Sequence, residues 1–262
     1  MAGWIDLTLP LYDFMPVGNV WAWDVPFQTE TITKDSFNGY ELTMITMFSE
    51  AGTRLMIRAM QDPTAPKIHE LPLKTLMMRD AVVVDLPYGR DHEVTGAELE
   101  AAFKGVELSS GDAILLRTGW GDNERWVALG DDYARTAPFI SKDAAEALVG
   151  IMKENQSDLV GSDVPYWGGG RKYQLPEWGS KPSWERHPFP SIQAKRYLAN
   201  YSKEKAYEDF ASPNILNSAD VMYLGAMCNL GALSQRRVKL SVLPLKIQGA
   251  RGATCRAVAF EG

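Results

Sequence analysis

The side chains able to do chemistry are few and far apart in this chain. Three histidines, His69, His92 and His187, are each isolated from the others. Catalytic zinc takes three protein ligands, and two-metal hydrolases take more, so scattered imidazoles argue against such a centre. The two cysteines, Cys228 and Cys255, have no close Cys/His spacing, which excludes a zinc ribbon and a disulfide framework. Cys228 has no adjacent histidine and reads as a buried structural thiol. A G-x-S-x-G elbow, a P-loop and a G-x-G-x-x-G after a strand are all missing from the sequence. Gly168, Gly169 and Gly170 precede Arg171 and Lys172 and offer at most a weak anion cradle. What remains is Glu50 with Arg54. If residues 50–60 run extended, side chains at even positions share one face, and the carboxylate and guanidinium flank Gly52. That glycine leaves room for a ligand or a close backbone approach. Glu50 could then serve as general acid or base, and Arg54 as a planar fork for an anion. The plain alternative is an edge-strand ion pair worth about 0–1 kcal/mol.

Other candidates have equally plain alternatives. Trp21 and Trp23, near Met15-Pro16, either line a pocket mouth or cover the sheet. Asp163, at a strand end before Pro165, either faces a ligand or caps a turn. Met44, Met47, Met56 and Met60 read as flexible apolar fillers of core or pocket wall. From Tyr166 to Pro190 the chain combines glycines and prolines with six aromatics: Tyr166, Trp167, Tyr173, Trp178, Trp184 and Phe189. Disordered segments are poor in aromatics, so this stretch reads as a packed lid or an intersubunit arm, with Trp167 and His187 within reach of a pocket.

The elements that must carry these groups alternate. Leu42–Phe48, Ala81–Leu86, Asp112–Arg117 and Leu159–Gly161 are strand-like runs, and two more strands lie near 238–245 and 253–260. Thr95 with Glu98 forms a capping box for a helix that Gly105 ends. Ser141 caps a second helix, over 142–153, and a third is expected over about 192–210. Strands interleaved with helices give an α/β fold in one domain, residues 1–262. The chain has 262 residues, 45% of them hydrophobic and 23% charged, enough for a sizeable core without disulfides. A net charge of −6 argues against nucleic acid as a partner. No run approaches 18 apolar residues and no signal peptide is evident, so a soluble cytoplasmic protein without a membrane partner is expected. Asn155-Gln-Ser and Asn200-Tyr-Ser are chance sequon matches in that setting.

Several segments together resemble the cyclase family, the group containing bacterial kynurenine formamidase and isatin hydrolase. They are Ile5-Asp-Leu-Thr-Leu-Pro-Leu-Tyr12 with Met15-Pro16, Glu70-Leu-Pro-Leu73, Gly111-Asp-Ala-Ile-Leu-Leu-Arg-Thr-Gly-Trp120, Ser162-Asp163-Val-Pro165 and Leu243-Pro-Leu-Lys-Ile-Gln-Gly249. The resemblance implies a mixed, barrel-like sheet with helices packed around it, assembled as a homodimer or homotetramer. It also implies a metal motif, His-x-Gly-Thr-His-x-Asp-x-Pro-x-His. Here that stretch reads Glu50-Ala-Gly-Thr-Arg54-Leu-Met56-Ile-Arg-Ala-Met60, so Gly52 and Thr53 remain and the ligand positions do not. A later family histidine and glutamate fall at or near Pro213 and Gly225. Neither a metal nor another cofactor is therefore expected.

The resulting expectation is a metal-independent enzyme acting on a small aromatic or cyclic carbonyl or carboxylate compound. A lyase-type reaction is favoured, because no nucleophile or polarised water replaces the lost cations. Hydrolysis of a cyclic amide or formamide is the alternative, as is a non-catalytic module that binds a small ligand.

Overall fold

The computed structural model describes residues 3–18, 26–33, 39–168 and 210–262. Its strands are β1 (Gly3–Asp6), β2 (Gln28–Thr33), β3 (Leu42–Thr46), β4 (Arg54–Met56), β5 (Arg79–Asp85) and β6 (Glu93–Val94). They continue as β7 (Ala113–Arg117), β8 (Phe139–Ile140), β9 (Leu159–Ser162), β10 (Met222–Gly225), β11 (Arg237–Pro244) and β12 (Gly252–Glu261). The helices are α1 (Gly96–Phe103), α2 (Arg125–Leu129), α3 (Asp132–Arg135), α4 (Lys142–Glu154) and α5 (Ala211–Ser218). None of them is long and apolar enough to cross a membrane.

Strands β5 and β7 are apolar on both faces, as parallel strands covered on both sides must be. They head a parallel run, β5-β7-β9-β10, joined to the antiparallel strands β4, β12 and β11. β12 pairs with β4 through Gly252–Thr254, which closes seven strands into a mixed barrel, and β1 extends β12 further along the same edge. Alternation along the strands sorts the core into two layers. Leu55, Ala81, Val83, Ala113, Leu115, Leu224, Val242 and Ala257 fill one cluster inside the barrel. Met56, Val82, Val84, Ile114, Leu116, Val160 and Tyr223 face outward against the helices. Helix α4 buries Ala144, Ala145, Leu148 and Met152 on that layer and lies between α1 and α5.

The caps read from sequence are present. The Thr95 hydroxyl accepts from Glu98 N at 3.3 Å while Glu98 Oε2 accepts from Thr95 N at 2.8 Å. Ser141 Oγ accepts from Ala144 N at 3.1 Å. The 42–48 run is a strand as read, β3, and it pairs with β2 in a two-stranded sheet separate from the barrel, whose residues are almost all exposed. Another expectation needs correction. Residues 50–60 are not one extended strand. A turn holds Ser49 and Glu50, Gly52 adopts φ +65°, and the strand is limited to β4 before a short 3₁₀ turn at Arg58–Met60. The space beside Gly52 is filled by neighbours, because a Cβ there would lie 2.7 Å from Leu11 Cδ2. Of the two options open at Gly52, close approach is the one realised. The third helix expected, over about 192–210, lies outside the described residues apart from its last position.

Candidate functional site

On the outer face of the barrel, β4 and β10 run antiparallel, with Arg54 opposite Gly225 and Met56 opposite Tyr223. Their outward side chains form the floor of a cavity of about 390 Å³. The loop after β9 supplies Tyr166 and Trp167, the turn after β4 supplies Met60 and Gln61, and α5 supplies Pro213, Asn214 and Asn217. Glu50 reaches the cavity from the turn before β4. Helix α5 tolerates Pro213 because it sits in the first turn, where backbone N–H groups have no intrahelical partner. Across the mouth, Gln61 Nε2 donates to Asn214 Oδ1 at 2.6 Å and Ser218 Oγ donates to Gln61 Oε1 at 3.1 Å, tying the helix to the turn.

Arg54 is 4% exposed. Its Nη1 donates to the Gly52 carbonyl at 3.1 Å and its Nη2 to the Pro165 carbonyl, and the guanidinium carbon lies 4.9 Å from the Tyr166 ring centroid. Among the described residues no carboxylate comes within 4.0 Å of it, so the ion pair with Glu50 is not formed. The Glu50 carboxylate likewise has neither a hydrogen-bond partner nor an ion pair among the described residues. Its stem rests on the start of β12: a Cβ at Gly252 would meet Glu50 Cγ at 2.9 Å and Oε1 at 3.1 Å. A Cβ at Gly225 would lie 3.6 Å from Arg54 Cζ and Nη2. Arg54 therefore occupies the space into which a long side chain at 225 would project.

Tyr223 is 2% exposed, and burial pushes its phenol up to about 12, so the hydroxyl stays neutral. That hydroxyl accepts from Asn217 Nδ2 at 3.3 Å, which pulls the other way, as does Arg54 nearby. The Asn217 carbonyl oxygen, on a residue 3% exposed, has no partner. Trp167 turns its ring to the wall, with Nε1 donating to the Leu224 carbonyl at 2.8 Å and its plane edge-on to Tyr223 at 5.9 Å.

The structure brings Glu50, Arg54 and Trp167 together, and Met56 and Met60 with them. Asp163 goes elsewhere. It is fully buried, and its carboxylate accepts from Thr118 N at 3.0 Å, Thr118 Oγ1 at 2.8 Å and Gly119 N at 2.8 Å. It thus pins the Thr118-Gly119-Trp120 loop, which is the turn-capping alternative. Burial pushes its carboxyl above the ordinary value, opposed by the Thr118 donors. Met44 lies exposed on β3. Trp21, Trp23 and His187 fall outside the described residues, as does the aromatic stretch beyond Gly168.

Tyr223 and Asn217 were not singled out from the sequence. The signal was faint: an asparagine beside Leu216 on the buried face of a helix that sequence reading did not find. Among the described residues the donor set does not fit a transition metal such as zinc. They offer the cavity one carboxylate, two thioethers and a buried guanidinium, with no imidazole or thiolate, whereas zinc takes three or four His, Cys or carboxylate ligands. Among the described residues no three His, Cys, Asp or Glu side chains are grouped to hold one.

Residues 5–168 match the family model described as "Putative cyclase". No curated protein matches the sequence. Among solved structures, isatin hydrolase A from Labrenzia aggregata, bound to benzyl benzoate, superposes with a TM-score of 0.69 at 20% identity, covering 99% of this chain and 93% of its own. Isatin hydrolase A from Ralstonia solanacearum gives 0.69 at 19%, covering 100% and 92%. A "predicted metal-dependent hydrolase from Bacillus stearothermophilus" gives 0.64 at 18%, covering 100% of both. At these identities the likeness is one of fold.

Proposed function

Because the chain belongs to the Cyclase family, we propose that it is an enzyme of hydrolytic type that acts without a metal on a small, planar carbonyl compound. Arg54 binds the substrate's oxygen and Glu50 moves the proton. The observation that carries this reading is the buried Arg54 guanidinium, lining the cavity with no carboxylate partner among the described residues. A buried charge of this kind is costly unless paired, and an anionic or developing-anionic oxygen of a ligand would complete it. Structural neighbours described as hydrolases support the reaction type.

In such a reaction Glu50 takes a proton from water as the water oxygen attacks the carbonyl carbon. The electron pair moves onto the carbonyl oxygen, where Arg54 donates to it in a site walled by aromatics. Collapse re-forms the carbonyl, breaks the bond to the leaving nitrogen or oxygen, and Glu50 returns the proton to that atom. A second reading is proton abstraction next to a carbonyl, with Arg54 on the enolate oxygen. It is favoured by the lining itself, which among the described residues holds no Ser, Cys, Thr or His.

The test is a panel of small cyclic amides, lactones and aromatic carbonyl compounds, incubated with chelator-treated protein and followed by mass spectrometry. Gain of one water identifies hydrolysis, and loss of water or carbon–carbon cleavage identifies the lyase reading. Glu50→Gln should lower kcat by about 10²-fold or more. Arg54→Ala should also raise KM, and Arg54→Lys should rescue it incompletely, since an ammonium lacks the planar fork. Near wild-type turnover in Glu50→Gln overturns the mechanism. Stoichiometric zinc or manganese with chelator-sensitive activity overturns the metal independence. Binding without turnover across the panel would mark a non-catalytic module instead.

A further inference from the structure

Arg54 is held by neighbours that also reach the turn carrying Glu50. Its terminal nitrogens donate to the carbonyls of Gly52 and Pro165, which fixes the direction of the guanidinium fork. Two such bonds leave the fork free to rock about the line joining their acceptors. The residue after Pro165 supplies the missing restraint. The Tyr166 ring centroid lies 4.9 Å from the guanidinium carbon, within the range where an aromatic face attracts a cation. That attraction is strongest where water is excluded, and Arg54 is 4% exposed. The far end of the ring is anchored as well, because Tyr166 Oη accepts from Gly18 N at 3.0 Å. Gly18 adopts φ +94° and packs on Ala51: a Cβ at Gly18 would lie 3.7 Å from Ala51 Cα. Ala51 is the residue between Glu50 and Gly52. One tyrosine therefore meets the guanidinium with its face and, with its hydroxyl, the segment that lies against the Glu50–Gly52 turn. Gly18, Glu50, Arg54 and Tyr166 all line the cavity.

We propose that Tyr166 is a positioning residue. Its ring sets the tilt of Arg54, and its hydroxyl ties that tilt to the turn carrying Glu50, so the oxygen-binding donor and the proton-transfer group keep a fixed separation. The proposal rests on the reading of Arg54 as the group that stabilises charge developing on the substrate's oxygen. Such donors are effective only when they are already aimed at the place where the charge will appear. Loss of aim removes an interaction made in the transition state, and so falls mainly on kcat. Tyr166 itself takes no part in the proton transfer.

The variants are Tyr166→Phe, Tyr166→Leu and Tyr166→Met. Phenylalanine keeps the ring and loses the bond to Gly18, whereas leucine and methionine fill the wall without a ring. Thermal unfolding establishes which of them fold, and either ring-less variant suffices. The first readout needs no substrate. In the nitrogen-15 side-chain spectrum of the arginine-labelled full chain, the Arg54 signal is identified by its loss in Arg54→Lys. Its displacement by the ring above it should remain in Tyr166→Phe and disappear in the ring-less variants. The second readout is turnover of whichever compound of the carbonyl panel is converted. Ring-less variants should lose about tenfold or more in kcat with KM within about twofold, and Tyr166→Phe should stay within about threefold of wild type. Added to Arg54→Ala, Tyr166→Leu should cause no further loss, because nothing remains to be positioned. An Arg54 signal that stays in place when the ring is removed refutes the contact. Ring-less variants with wild-type kcat, beside an Arg54→Ala protein that has lost turnover, overturn this inference and leave the Arg54 reading standing. Equal losses in Tyr166→Phe and Tyr166→Leu would assign the tyrosine to the Gly18 bond alone, which also overturns it. If no compound is converted, or Arg54→Ala leaves conversion unchanged, both readings fail together.

Discussion

Thr53→Val should destabilise the protein far more than the loss of a surface hydroxyl would. Thr53 is fully buried, and its Oγ1 accepts from Leu9 N at 2.8 Å while donating to the Ala226 carbonyl at 2.5 Å. One hydroxyl thus joins three segments: the chain after β1, the start of β4, and the end of β10. Valine has the same shape, so the substitution opens no cavity. It leaves one buried N–H and one buried C=O without these partners, since Leu9 and Ala226 are also almost fully buried. Each of the two orphaned groups costs about 1–3 kcal/mol, so the expected loss is about 2–6 kcal/mol. For a chain of this size that lowers Tm by roughly 4–24 °C. Thr53→Ser keeps both hydrogen bonds and gives up one methyl group, at a cost of about 1 kcal/mol. Thermal unfolding and urea titration of the three proteins, with unchanged m, check the ordering. A Thr53→Val protein within about 1 kcal/mol of wild type, with Thr53→Ser the weaker of the two, would refute the reasoning and assign Thr53 to packing alone. The same geometry gives Gly52-Thr53 a structural task that is independent of any metal held by the residues around it.

Gly252→Ala should reduce kcat by about 10²-fold through displacement of Glu50, since the new Cβ would meet Glu50 Cγ at 2.9 Å and misplacement by an ångström has effects of that order. Turnover of the double variant with Glu50→Gln should then match that of Glu50→Gln alone, and additive losses would exclude the coupling. Asp163→Asn should cost about 2–4 kcal/mol in urea unfolding, because an amide presents N–H where Gly119 or Thr118 donates. A stability change below about 1 kcal/mol would mean that the loop is held by other contacts. Acid titration should weaken the N-termini of α1 and α4. Backbone donation from Thr95 holds Glu98 below its ordinary 4.5, and Ser141 with Gly96 holds Asp143 below 3.8. Here the unfolded chain binds more protons than the folded one, so this stability is present above the ordinary values and is lost as pH falls through the lowered ones. Glu98→Gln should flatten its share of that dependence below pH 4.5, and an unchanged profile would count against the assignment.

Local chemistry was sufficient for much of the architecture. The capping box at Thr95, the Ser141 cap and the apolar runs of β5, β7, β9, β11 and β12 are all short-range patterns, and each emerges within a few residues of its expected bounds. The order of those elements was enough for an α/β fold, and the quoted motifs for the family. Pairing was not local. β3 has the composition of a barrel strand and lies outside the barrel, because alternation describes a strand without saying which neighbour takes it. Residues 50–60 kept their alternation for three positions, because Gly52 turns the chain and brings Leu11 into the space beside it. Glu50 and Arg54 were legible as a chemical pair from their types, yet the turn between them replaces the ion pair with two separate groups at one cavity. Tyr223 and Asn217 left only a faint signal. They sit on a short strand and an eight-residue helix, and the cavity they share with Arg54 exists only once β10 pairs with β4 and α5 packs against them. Which groups meet across such distances depends on pairing and packing in three dimensions, and nothing in the order of residues along the chain records that.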